Sequence, residues 1–236
     1  MQESKIKWLE GLEEAKRFSM GSHKPILMFF HSRHCAGCHN TFNKTLTKMS
    51  VQDSITEHYV PVLFEVSDME EMARLYNIDW TPTFIVADES GLEMMRWEGY
   101  MPEDDYLGYL NFGLARYELK KGDYVTAERR FDEVIMKHPL SDLAPKAYYY
   151  RGVAKYKGAN DASWLIDAYD NLKEKYPESP WTIKASVWTK KDFAAVEEAT
   201  RAGVRAACRP GVLRISAGNY GGKLGRHHYH LKGLLP

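Results

Sequence analysis

Four short runs with strand character crowd into the first hundred residues of this 236-residue chain, and helical periodicity takes over from about residue 104. The runs are Pro25-Ile26-Leu27-Met28-Phe29-Phe30, residues 59–66, Thr83-Phe84-Ile85-Val86 and Met94-Met95-Arg96-Trp97. A short apolar run bounded by polar residues reads as a strand buried on both faces. Between these runs the period changes. Residues 5–18 predict an amphipathic helix on Trp8, Leu9, Leu12, Ala15 and Phe18. Residues 40–49 predict a second on Phe42, Leu46 and Met49, and residues 69–76 a third. The last two strands meet across the turn Asp88-Glu89-Ser90-Gly91. Alternation followed by a tight hairpin predicts an α/β mixed sheet with flanking helices.

Hydrophobic residues make up 44% and charged residues 27%, enough apolar material for a filled core in a globular chain. The 32 basic and 32 acidic side chains cancel, which argues against nucleic acid or an anionic membrane as partner. No stretch approaches the roughly 18–20 apolar residues of a membrane span. The first residues lack the apolar core of a secretory signal, so the expected compartment is the cytoplasm, or the periplasm if a signal has been removed.

The three cysteines are Cys35, Cys38 and the lone Cys208, which is no disulfide framework. Cys35 and Cys38 follow the first strand and open the next helical stretch. There the first sulfur meets free backbone N–H groups and the positive end of a helix, which lower a thiol pKa. The second sulfur, one turn on, is close enough to resolve a mixed disulfide. Three readings compete with redox use. Cys35-x-x-Cys38-His39 is also the pattern of c-type haem attachment. Zinc would need two further ligands, with His31, His34 and His39 nearby. The plainest alternative is two ordinary buried cysteines. The strand before and the helix after favour redox chemistry, with no metal and no cofactor.

Lys24-Pro25-Ile26-Leu27-Met28-Phe29-Phe30, Cys35-Ala36-Gly37-Cys38, Asp79-Trp80-Thr81-Pro82-Thr83-Phe84 and Arg96-Trp97-Glu98-Gly99-Tyr100 together resemble the thioredoxin superfamily. The resemblance implies a thiol-disulfide oxidoreductase acting on protein disulfides, with Cys35 and Cys38 as the catalytic pair. It implies a cis bond before Pro82, with Thr81 and Pro82 forming part of the substrate groove. Three positions depart from the family pattern. His34 stands where a Trp usually precedes the first cysteine. Phe29 stands where a buried acid helps proton transfer, and Phe64 where a lysine accompanies that acid. His34 is either a thiolate-stabilising, substrate-facing group or a solvated loop residue. The alternative to an enzyme is a protein-interaction scaffold whose thioredoxin-like part is structural.

Residues 104–188 predict helices broken at Gly122, at 139–143, at 158–161 and at 177–180. Lys137-His138-Pro139-Leu140-Ser141 is echoed by Lys175-Tyr176-Pro177-Glu178-Ser179, an offset of 175 − 137 = 38 residues. Ala127, Phe131 and Pro139 make this all-α region resemble tetratricopeptide repeats. The resemblance implies a concave surface for a protein partner. At least one of Tyr148, Tyr149 and Tyr150 is expected in the core. The resulting division is 1–106 thioredoxin-like, 107–189 helical repeats and 190–236 a poorly packed tail of separate origin. Ala206-Ala207-Cys208-Arg209-Pro210-Gly211-Val212-Leu213-Arg214-Ile215-Ser216 and the Gly-rich stretch after it resemble the C-terminal end of formylmethanofuran–tetrahydromethanopterin formyltransferase. One terminal segment does not assemble a transferase site.

Overall fold

The computed structural model describes residues 4–201. The lone Cys208 and most of the tail at 190–236 lie outside them. Strands β1 (Ile26–His31), β2 (Val60–Glu65), β3 (Thr83–Ala87) and β4 (Glu93–Glu98) form one sheet in the order β2-β1-β3-β4. β1 runs parallel to β2 and antiparallel to β3, and β3 pairs antiparallel with β4. The sheet is therefore mixed. Helices α1 (Leu12–Ser22), α2 (Ala36–Asn40), α3 (Met49–His58) and α4 (Glu70–Leu75) belong to the same part.

β1 is central and covered on both sides. Leu27 and Phe29 enter one apolar cluster, with Ile55, Phe84, Trp97 and Tyr106. Ile26, Met28 and Phe30 enter the other, with Leu12, Ala15, Phe64 and Ile85. This is why the run lacks polar alternation. Burying each of the Leu, Ile, Met and Phe side chains among them contributes roughly 1.5–3 kcal/mol before conformational costs.

Two expectations are corrected. The first helix begins at Leu12, not at residue 5, and ends at Ser22. Leu9 instead pairs with Val62 beside β2, donating to Pro61 O and accepting from Leu63 N at 2.9 Å each. Trp8 packs on Phe29. The helix expected over residues 40–49 is α2 continued by one π-helical turn, Thr41–Thr45, after which the chain breaks and restarts as α3. Met49 is exposed rather than on a common apolar side with Phe42 and Leu46.

From residue 103 the chain is helical: α5 (Glu103–Lys121), α6 (Tyr124–Lys137), α7 (Leu143–Ala159), α8 (Ser163–Lys175), α9 (Pro180–Ala185) and α10 (Lys190–Arg201). The breaks expected from the sequence fall between these helices. Asp123 caps α6 through Thr126 N, and Ser179 caps α9 ahead of Pro180. Short connections turn each helix back along the one before. Tyr148 and Tyr149 are buried, and Tyr150 is half-buried.

α5 packs on the sheet and on the helical pairs alike, and spans both sides of residue 106. Its Tyr106 meets Phe84 and Trp97 edge-on, and Leu110 O accepts from Tyr59 Oη at 2.5 Å. Near its far end, Lys120 pairs with Asp88, which is 3% exposed. Asp88 also accepts from Ser90 N at 2.8 Å and Leu92 N at 3.0 Å.

Gly152 lets α7 and α8 approach closely, since an added Cβ would sit 2.4 Å from Ala168 Cβ. Gly152→Ala is expected to cost about 1–3 kcal/mol in urea unfolding, through overpacking. Burial raises the Asp88 carboxyl, but hydrogen bonds from Lys120, Ser90 and Leu92 outweigh it and hold the group at about 2 against an ordinary 3.8. The stability this contributes is complete above the ordinary value and is lost as pH falls toward about 2. Asp88→Asn should cost roughly 1–3 kcal/mol at neutral pH. It should also flatten the acid limb of stability measured by urea titration across that pH range.

Candidate active site

β1 ends at His31, and the connection to α2 brings Cys35 to the N-cap. Cys35 Sγ accepts from Cys38 N at 3.0 Å and lies 3.2 Å from Thr81 O. Both cysteines are free thiols. Cys35 is half-exposed, whereas Cys38 is 1% exposed. Thr81 comes from the segment before β3, and its peptide bond to Pro82 is cis. Gly37 faces Pro82 closely: a Cβ at that position would lie 3.0 Å from Pro82 Cδ.

Electrostatics separate the two sulfurs. Burial pushes Cys35 up. Hydrogen bonds from Cys38, from Thr81 and from the N–H groups of Cys38 and Gly37 more than reverse this, leaving the thiol below its ordinary value. Burial first, then the hydrogen bond to Cys35, pushes Cys38 up to about 11. Only Cys35 is thus set up as a thiolate nucleophile.

A cavity of about 600 Å³ opens beside Cys35, lined among others by His34, Gly37, Trp80, Thr81, Pro82 and Tyr100. The five expected site residues are therefore close together, with the buried Cys38 behind the cavity wall. His34 is exposed. His31 and His39 do not line the cavity. Sequence reasoning assigned no role to Trp80 and Tyr100, which are 66% and 39% exposed and give the groove an apolar rim. The usable signal was their adjacency to Thr81-Pro82 and to Gly99. Among the described residues, no three His, Cys, Asp or Glu side chains converge as metal ligands.

The pairing of Phe29 with Phe64 is corrected. Phe29 stacks on Phe84, with ring centroids 4.3 Å apart, on one face of the sheet. Phe64 lies opposite Phe30 on the other face. The residue in register with Phe29 is Leu63, so the space beneath the cysteine pair is apolar on both strands.

The family model for a thioredoxin-like domain matches residues 12–114. Residues 12–114 form a thioredoxin-like domain. Among solved structures, this domain is similar to a thioredoxin from Thermus thermophilus, at 25% identity and TM-score 0.41 over 45% of this chain and 85% of that one. It is also similar to a DsbH oxidoreductase, at 19% identity and TM-score 0.43 over 46% and 84%. Beyond the thioredoxin-like domain, residues 175–234 match the family model "FTR, proximal lobe". A formylmethanofuran–tetrahydromethanopterin formyltransferase from Methanopyrus kandleri is 61% identical over 72 residues, 29% of this chain and 24% of that protein. A formyltransferase-like protein from Methanothermobacter thermautotrophicus is 48% identical over 64 residues, 27% and 22%. The chain spans less than a quarter of the length of these relatives. No helix among the described residues is long and apolar enough to cross a membrane.

In a Cys208→Ser background, iodoacetamide should modify Cys35 with a half-maximal rate at a pH below that of an ordinary cysteine. A Cys35→Ser variant should stay nearly unreactive at neutral pH, because Cys38 is buried and burial, the largest cause of its raised pKa, remains in the variant. Equal rates at the two cysteines, read by peptide mass, would contradict this asymmetry.

Proposed function

We propose that this chain is a thiol-disulfide oxidoreductase acting on protein disulfides, with its helical pairs docking the protein partner. The observation that carries the reading is the half-exposed Cys35 sulfur, hydrogen-bonded by Cys38 N at 3.0 Å beside the Thr81–Pro82 groove. The Cys35 thiolate attacks one sulfur of a substrate disulfide. The substrate S–S bond breaks, and its departing sulfur takes up a proton. Cys38 then gives up its proton and attacks Cys35 Sγ, releasing the second substrate thiol and leaving a Cys35–Cys38 disulfide. Two electrons pass to the substrate, and an external dithiol restores the pair. No hydrogen bond within the described residues engages the Thr81 N–H, which suits it to pair with an extended substrate strand. Trp80, His34 and Tyr100 supply the rest of the contact surface. We read the protein as a reductant, since Ala36 and Gly37 bring no charge to stabilise the thiolate further.

One observation favours a scaffold instead. Phe29 and Leu63 leave no carboxylate beneath the pair to accept the Cys38 proton. Titrating the Cys208→Ser chain across a graded thiol buffer, with alkylation and mass shift as readout, separates the two. A reversible two-electron transition between roughly −120 and −270 mV is expected. Cys35→Ser should abolish reduction of insulin by dithiothreitol-recycled protein, and Cys38→Ser should accumulate a mixed disulfide. Absence of any reversible disulfide in that range would leave the scaffold as the better account.

A further inference from the structure

Arg116 on α5, Lys146 on α7 and Lys184 on α9 have no carboxylate partner among the described residues. Five other cations of α5–α7 do: Lys120 with Asp88, Lys121 with Glu89, Arg129 with Glu133, Arg151 with Asp132 and Lys155 with Glu128. What sets Arg116, Lys146 and Lys184 apart is that they converge on one aromatic cluster. The Arg116 guanidinium lies 3.9 Å over the Tyr150 ring. Lys146 Nζ lies 5.1 Å from the Phe112 ring and 5.6 Å from that of Trp181. Lys184 Nζ lies 4.3 Å over Trp181. Tyr150 and Trp181 touch, with centroids 5.5 Å apart.

They meet because α5, α7 and α9 alternate with the outer helices and pack on one another. Arg116 is four residues from Phe112, and Lys146 four from Tyr150, so each pair shares one helix face. A cavity of about 410 Å³ opens at Lys146 and Trp181, bounded also by Trp97, Met101, Tyr109 and Asp142. Burial, foremost, and the charges of Arg116 and Lys184 push the Lys146 ammonium below its ordinary value, with Asp142 opposing them. A half-buried cation with no ion pair of its own is stabilised further by an arriving anion.

We propose that this face binds an acidic peptide segment of a partner protein, whose carboxylates pair with Arg116, Lys146 and Lys184. The inference rests on the partner-docking part of the function proposed above and names the chemistry of the partner. Charge complementarity selects the occupant. Residues 199–236 of the chain contain no Asp or Glu and seven Lys and Arg, so they offer these cations no side-chain anion. Asp142 and Glu98 line the same cavity, and they oppose a densely charged polyphosphate backbone more than a peptide whose carboxylates are spaced along an uncharged main chain. Against a peptide, Asp142 is useful, since it accepts from Tyr109 Oη and keeps lone pairs for a backbone N–H.

The test is fluorescence anisotropy of the full chain with a short labelled Glu-rich peptide, its Gln counterpart and a labelled single-stranded DNA. The Glu peptide should bind, weaken with added salt, and exceed the Gln peptide roughly tenfold in affinity. Lys184→Gln and Lys146→Gln should each weaken it several-fold, while Lys155→Gln, in an ion pair on the far side of α7, should not. Lys184 is exposed, so its variant keeps the test sound if Lys146→Gln misfolds. Alkylation of Cys35 should be unchanged in every variant, which separates this outcome from failure of the redox reading. Equal binding of Glu and Gln peptides would overturn the cation assignment while leaving the helices as a docking part. Binding of neither peptide would overturn both. Tighter binding of DNA, or of a second copy of the chain in sedimentation, would also overturn the assignment.

Discussion

α5 is one helix in two packings, and the rest of the molecule depends on it. Its first half closes the sheet, with Tyr106 set edge-on against Phe84 and Trp97 and Leu110 O bonded to Tyr59. Its second half begins the helical pairs, with Phe112 against Phe131. The apolar cluster therefore runs without interruption from Leu27 and Phe29 in the sheet to Leu172 and Trp188 in the last helices. Asp88 and Lys120 add a polar tie at the other end of the same helix. The sheet and the helices share one interior, so the position of each follows from the other.

That shared interior also holds the site. β1 is buried on both faces, which makes its C-terminal end a rigid platform for the connection that carries Cys35. The groove wall comes from the other direction, through the cis Thr81–Pro82 bond and the start of β3. Both halves of the groove are short connections anchored at strand ends. The space between Gly37 and Pro82 is narrow, since even an added Cβ at Gly37 would come within 3.0 Å of Pro82 Cδ.

Much of this was legible in the residues. The four strands are short apolar runs with clear ends, and the helix breaks carry Gly, Pro, Asp or Ser where caps require them. What was not legible depended on contacts between distant segments. Residues 5–9 have helical spacing, yet Leu9 gains hydrogen bonds to Pro61 and Leu63, which a helix there would forgo. The π-helical turn after Cys38 has no period of its own. Phe64 matched a family position, but the register with β1 places it against Phe30. The cation face was hidden for a similar reason. Arg116, Lys146 and Lys184 lie on three separate helices and form no motif along the chain.

The unequal burial of Cys35 and Cys38 gives the pair an order of events. A molecule arriving from solvent can meet Cys35 and cannot meet Cys38, which is almost fully enclosed. The inner sulfur can act only on something already tethered to its neighbour. In the proposed reaction it works as a latch rather than a hook: blind to passers-by, and able to end an encounter that it could not have begun.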